Sequence, residues 1–253
     1  MTNAETILKQ LVAMSRELGR PERDFVILGE GNTSALCDDG SFWVKASGTQ
    51  LGTIDADGFV RVDLAAVCAV ADGGEMNDTQ VKAALAAAKV EPAMVKRPSV
   101  ETVLHALALR DAGARFVGHT HPVAVNALTC SVAIEEAIAG RLFPDEIVVC
   151  GPAPAYVSYT DPGLPLARAV GDAFRRHADN WGAPPKVVLM QNHGMIALGA
   201  SPQEVDNITA MYVKTCRVLA GTYTFGGPHF LSEENVGRIH TRPDEAYRRG
   251  QLR

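Results

Sequence analysis

Apolar residues at Ile7, Leu8, Leu11, Val12 and Leu18 recur at the three-to-four spacing that lines one helix face. Residues 3–19 therefore predict an amphipathic helix, which Gly19-Arg20-Pro21 ends. Short apolar runs at 25–28, 33–37 and 42–46 then read as β-strands, with Gly29-Glu30-Gly31-Asn32 and Asp38-Asp39-Gly40 as the turns between them. Asp39-Gly40 between two such runs is a hairpin signal. Residues 71–99 are Ala-rich and polar and predict a surface insertion with a short helix over 78–89. Beyond it the pattern predicts a helix over 99–112, a strand over 115–120 and a helix opening near Pro122. A strand over 146–150, a helix over 164–178, strands over 186–191 and 195–198 and a long helix over 202–221 follow. Strands interleaved with helices, with no internal repeat or low-complexity tract, predict an α/β protein with a single domain over residues 1–253.

Composition narrows the partners. A chain of 253 residues that is 47% hydrophobic, with mean hydropathy +0.02, can build a full core without disulfide or metal staples. The net charge is −5, and basic residues are scattered apart from Arg175-Arg176 and Arg248-Arg249, which argues against nucleic acid as a partner. No apolar run reaches the length of a membrane span, and Met1-Thr2-Asn3-Ala4-Glu5 lacks the charged and apolar regions of a signal peptide, so the expected location is cytoplasmic. The five cysteines are odd in number and lie at least twenty residues apart, which reads as buried reduced thiols.

The chemistry concentrates in three histidines. His119 and His121 stand at i and i+2 on a predicted strand, where side chains alternate, so both imidazoles point to one face. His193, in Asn192-His193-Gly194, follows another apolar run. Three neutral imidazoles around a divalent ion, with one position open, are the ligand set of a catalytic zinc-type site. Ser99 and Glu101 open the predicted helix that leads into the His119 strand. A serine there caps free amides and an acid suits the positive end of the dipole, yet the same placement brings the acid beside the metal ligands. His105, four residues after Glu101, shares its helical face and reads as a packing or hydrogen-bonding residue behind the site rather than a ligand. Two Gly-rich turns, 29–34 and 45–49, offer amides and hydroxyls that suit either a hairpin or a small anion.

Taken in chain order, Gly31-Asn32-Thr33-Ser34, Lys45-Ala46-Ser47-Gly48, Pro98-Ser99-Val100-Glu101, Gly118-His119-Thr120-His121-Pro122 and Gln191-Asn192-His193-Gly194 resemble the class II aldolase/adducin family. Its members include L-fuculose-phosphate aldolase, rhamnulose-phosphate aldolase and L-ribulose-phosphate 4-epimerase. Tyr159-Thr160-Asp161-Pro162-Gly163 before a helix fits the same pattern, so the resemblance covers residues 5–235 and leaves 236–253 as a C-terminal tail. It implies one three-layer α/β/α domain around a mainly antiparallel central sheet, assembled as a homotetramer with active sites near subunit interfaces.

Carried over residue by residue, the resemblance implies zinc ligands at His119, His121 and His193, with Mn2+ and Co2+ the other ions such a site takes. It implies a catalytic acid/base at Glu101, phosphate-binding positions at Gly31, Asn32, Ser47, Gly48 and Ser99, and a catalytic tyrosine at Tyr247 near the C-terminus. Two positions depart from the pattern. Val100 stands where sugar-phosphate enzymes often carry a second Ser or Thr, and Ser34-Ala35-Leu36 lacks an arginine common after the first motif. A carboxylate or an unphosphorylated group would then occupy the phosphate's place. The implied activity is a zinc-dependent lyase cleaving a carbon–carbon bond of a small ketose, ketose phosphate or keto acid through an enediolate, with a carbohydrate-derived small molecule as partner. A 4-epimerase or β-keto acid decarboxylase is the alternative on the same scaffold. The non-catalytic adducin branch is a more remote one, because such a protein has no reason to keep three ligands and the acid together.

Overall fold

The computed structural model describes residues 2–251, whose strands form one seven-stranded sheet in the order β3-β2-β1-β4-β7-β6-β5. In chain order the elements are α1 (Asn3–Leu18), β1 (Asn32–Leu36), β2 (Ser41–Lys45), β3 (Phe59–Asp63), α2 (Leu64–Asp72), α3 (Asp78–Ala87), α4 (Thr102–Asp111), β4 (Phe116–Thr120), α5 (Val123–Thr129), α6 (Ile134–Ile138), α7 (Pro144–Cys150), β5 (Ala155–Val157), α8 (Leu164–Trp181), β6 (Val187–Met190), β7 (Gly194–Gly199), α9 (Pro202–Thr222), α10 (Glu233–Thr241) and α11 (Pro243–Gln251). Every neighbouring pair is antiparallel except β5 with β6, as the resemblance led one to expect.

The period of two in the strands divides the apolar residues between two cores. Phe42, Val44, Val117, Ile196 and Leu198 face α2, α3, α4 and α8, while Ala35, Trp43, Phe116, Met195 and Ala197 face α1, α5, α7 and α9. The layers are thus helix, sheet, helix. Among the described residues no helix is long and apolar enough to cross a membrane. The opening helix is fixed by a capping box in which Thr2 and Glu5 satisfy one another's backbone N–H groups.

Antiparallel pairing of the three central strands sets the place of the site. It brings the start of β1, the end of β4 and the start of β7 to one end of the sheet, with Asn32 opposite His119 and His119 opposite Ile196. On the same face α4 begins, with every residue from Thr102 to Leu109 buried between the sheet and the outer helices.

Several sequence expectations change. Residues 146–150 form a helix, α7, and not a strand. Five apolar residues fit either state; Pro144 at the first turn and Asp145 and Glu146 after it are helix-start chemistry, and the buried Glu146 pairs with Arg141. Residues 25–28 are not a strand, since Asp24 and Leu28 both have left-handed backbone, and the segment turns so that the Phe25 carbonyl accepts from the His121 N–H while the Ile27 carbonyl accepts from the Glu30 N–H. Residues 71–99 are more than a surface insertion: Val81, Leu85 and Ala88 are buried in the first core. The strands β3 and β5 and the helix α2 add to the elements that the pattern predicts.

Candidate active site

His119 lies in β4 and is 1% exposed, and His121 follows the strand's end on the same face. His193 occupies the three-residue connection from β6 to β7, which Asn192 turns with left-handed backbone (φ 54°), a conformation that asparagine tolerates. Two glycines let these segments close together. A Cβ on Gly194 would lie 2.6 Å from the Thr120 carbonyl oxygen and 2.7 Å from His121 Cδ2. One on Gly31, whose φ is +66°, would lie 2.6 Å from the His119 carbonyl oxygen. Gly31 is therefore a backbone necessity of the site whatever else it touches.

The three rings converge, with centroids 4.7, 4.9 and 5.0 Å apart and one ligand nitrogen from each within 4.8 Å of the others. His119 Nδ1 donates to the Met195 carbonyl (2.9 Å), which fixes the tautomer and turns a bare Nε2 inward, 3.0 Å from His121 Nε2. Imidazole nitrogens on one tetrahedral zinc stand about 3.3 Å apart, given bonds of about 2.0–2.1 Å. Burial pushes His121 down to about 3 and His193 down to about 4, with His119 adding to both shifts and Glu101 opposing them, so both rings are neutral at physiological pH, the form that ligates. The donor set fits a divalent ion. His121 and His193 keep 17% and 15% of their side-chain surface exposed, which leaves one side of the cluster open. The Glu30 carboxylate stands 3.9 Å behind His121 Nδ1.

Glu101 is the residue before α4 and closes the other side. Its Oε1 is 3.4 Å from His193 Nε2 and its Oε2 is 3.6 Å from His119 Nε2. Burial pushes this carboxyl up, but His119, the Asn32 hydrogen bond, His193 and His105 outweigh it and hold it at about 2. Asn32 Nδ2 donates to Glu101 Oε2 (2.5 Å), and Asn32 Oδ1 accepts from His105 Nε2. The Asn32 amide, placed among the phosphate positions by the resemblance, is thus committed to the interior and keeps one N–H to spare. His105 is a buried hydrogen-bonding residue, as its spacing from Glu101 suggested, with Ser34 Oγ 2.7 Å from its Nδ1.

The other expected positions form a rim. The Ser47 N–H donates to the Arg97 carbonyl (3.0 Å) and Ala46 bridges to Pro98, which lays the exposed Ser47 and Gly48 beside the half-buried Ser99. The Ser99 hydroxyl accepts from the Glu101 N–H at 3.3 Å, so it trims the start of α4 while bordering the site. Val100 is 41% exposed. Tyr247 is not brought to the histidines within the chain: it is 73% exposed on α11, which packs on α10 and α7, and no hydrogen bond or ring contact ties it to the triad.

Lys45 stands in the second motif, yet the sequence assigned it no role. It is 4% exposed at the end of β2, with its ammonium 3.3 Å from the Gly29 carbonyl and, among the described residues, no salt bridge. Burial pulls its pKa below the usual lysine value while Glu101 pulls it up. A lysine closing the apolar run Phe42-Trp43-Val44 was the available signal.

Comparison with known proteins places the chain in a family and matches its fold. The family described as Class II Aldolase and Adducin N-terminal domain matches residues 9–220. An uncharacterized oxidoreductase, YuxG of Bacillus subtilis (strain 168), is 28% identical over 258 residues, covering 97% of this chain but 33% of that protein, so the chain spans about a third of this relative's length. The N-terminal class II aldolase domain of a conserved protein from Thermoplasma acidophilum superposes with a TM-score of 0.68 at 25% identity, covering 87% of this chain and 96% of that one. L-fuculose-1-phosphate aldolase from Thermus thermophilus does so at 0.63 and 17% identity, covering 89% and 100%.

Proposed function

Because the chain belongs to the Class II Aldolase and Adducin N-terminal domain family, we propose that it is a divalent-metal-dependent lyase cleaving a carbon–carbon bond of a small ketose, ketose phosphate or keto acid. The observation that carries the reading is the Glu101 carboxylate 3.4 and 3.6 Å from two of three convergent imidazoles, which puts a proton-transfer group and a metal-binding set in one small volume. His119, His121 and His193 would hold the ion, zinc first on the softness of the donors, Mn2+ and Co2+ after it. Bound there, a divalent cation supplies Lewis acidity towards vicinal substrate oxygens.

The chain's own residues do the rest. Glu101, kept ionised by its neighbours, takes up the hydroxyl proton released as the carbon–carbon bond breaks and returns it to the carbon that kept the bond's electron pair. Lys45 lends positive charge from the flank, and Ser47, Gly48, Ser99 and the spare Asn32 N–H receive the far end of the substrate. Val100 on this rim favours a far end that is a carboxylate or hydroxyl rather than a phosphate. A homotetramer is part of the proposal, supported by large apolar groups left bare on one chain, Phe225 at 91% and Leu28 at 76% exposure. Light scattering giving the mass of a single chain, 26.9 kDa, would contradict the tetramer.

The test is a panel of ketose phosphates, free ketoses and keto acids offered to the metal-loaded protein, with products identified by NMR. Two carbonyl fragments from one ketose are expected. A product of unchanged carbon count would replace cleavage by epimerisation, and release of carbon dioxide would replace it by decarboxylation.

A further inference from the structure

Resting on the reading of Glu101 as the proton-transfer group, we propose that Ser34, His105 and Asn32 are positioning residues for it, forming a one-way hydrogen-bond chain that ties down Oε2 and leaves Oε1 free to exchange a proton.

Its geometry follows from two periodicities. Asn32 and Ser34 are two residues apart on β1 and so share the sheet face of His119, opposite which Asn32 is paired. Glu101 and His105 are one helical turn apart, joined by the His105 N–H to the Glu101 carbonyl at 3.2 Å. Strand and helix therefore present two matched pairs. Ser34 Oγ meets His105 Nδ1 at 2.7 Å, His105 Nε2 meets Asn32 Oδ1, and Asn32 Nδ2 meets Glu101 Oε2 at 2.5 Å. Ser34 and His105 are 0% exposed and Asn32 5%, so water cannot substitute for a missing partner.

The chain has a direction. A carboxylate only accepts, so the Asn32 nitrogen is the donor to Glu101. The amide oxygen only accepts, so His105 carries its hydrogen on Nε2. Burial, joined by His119 and outweighing the pull of Glu101, lowers His105 to about 3, which keeps the ring neutral; its bare Nδ1 then accepts from the Ser34 hydroxyl. A proton arriving on Oε1, which faces His193, leaves all three bonds in place. One arriving on Oε2 would set an O–H against the Asn32 N–H and require the buried amide to turn over. The chain thus selects which oxygen works, and it holds the carboxylate plane while that oxygen is loaded and unloaded.

The first experiment needs no substrate. Nitrogen-15 NMR of histidine-labelled protein, with the His105 signal assigned by its loss in His105→Gln, should show the Nε2–H tautomer in metal-free and metal-loaded samples. The Nδ1–H tautomer would overturn the chain. The second uses the substrate that the panel identifies. His105→Leu should keep its metal by elemental analysis and lose about 10- to 100-fold in kcat with KM little changed, the usual cost of removing a supporting hydrogen bond. His105→Gln, whose amide N–H can reach the Nε2 position, should recover most of that loss. Equal kcat in wild type and His105→Leu, or a Gln variant as slow as the Leu variant, would overturn the positioning role. If His105 acts through Glu101, Glu101→Gln with His105→Leu should be no slower than Glu101→Gln alone. Full activity in Glu101→Gln would sink the acid/base reading by itself and leave the tautomer result standing.

Discussion

The two sides of the site are built differently. The inner wall, made of Asn32, Ser34, Glu101, His105 and His119, is at most 9% exposed residue by residue, and four of its members, Ser34, His105, Asn32 and Glu101, are joined by hydrogen bonds. The rim, made of Ser47, Gly48, Ser99 and Val100, is exposed or half-buried and held mainly by backbone contacts between 46–47 and 97–98. A hydrogen-bonded interior cannot change one member without stranding another, whereas a rim residue can change alone. The inner wall should therefore fix the kind of chemistry, and the rim should decide which molecule receives it.

The sharpest break of that contrast is Glu101→Gln. It keeps size and hydrogen bonding but removes proton transfer, so kcat should fall by about 10²–10⁴ with metal content unchanged. Steady-state kinetics beside elemental analysis would show it, and an active variant would leave the inner wall without its function.

Acid should also strike the histidines of the site, of which His105 belongs to the inner wall. His105, His121 and His193 sit at about 3, 3 and 4 in the folded chain, pushed down chiefly by burial. In the unfolded chain each takes up its proton near the ordinary histidine value, about 6.5. As pH falls below that value the unfolded state binds more protons, so stability is present above it and drains away down to the folded values. Each ring contributes about 1.4 kcal/mol per pH unit. Urea unfolding of metal-free protein should show a much lower midpoint at pH 5 than at pH 7. Equal midpoints would mean that these rings are not held neutral.

The smallest effect belongs to the rim. Val100→Ser adds a donor beside Ser99 and should lower KM for a phosphorylated ketose by about tenfold, the low end of what a hydrogen bond to a charged oxygen contributes. It should leave kcat alone. A change in kcat with no change in KM would place Val100 in the inner wall instead.

Much of this contrast could be read from the chain because its chemistry is local. His119 and His121 share a face by strand alternation, and Glu101 precedes His105 by one helical turn. What could not be read depends on partners distant in sequence. Nothing near Asn32 announces that its amide will be spanned by Glu101 and His105, each some seventy positions away. The three residues of β5 are too few to carry a period, and Ile147-Val148-Val149 fits a strand as well as a helix, the choice resting on Pro144 and the buried Arg141–Glu146 pair. The mainly antiparallel sheet came from the family resemblance and not from periodicity. Tyr247 was placed by resemblance too, and within one chain the structure leaves it on the outer face of α11.

On the proposed function, the three converging imidazoles hold a catalytic divalent ion. Elemental analysis of the purified wild type and of His193→Ala, each dialysed against the same zinc-containing buffer, tests it most directly. About one divalent ion per chain is expected in the wild type and almost none in the variant, because two remaining ligands cannot match the affinity of three. Full occupancy in folded His193→Ala, or none in the wild type, would contradict the account.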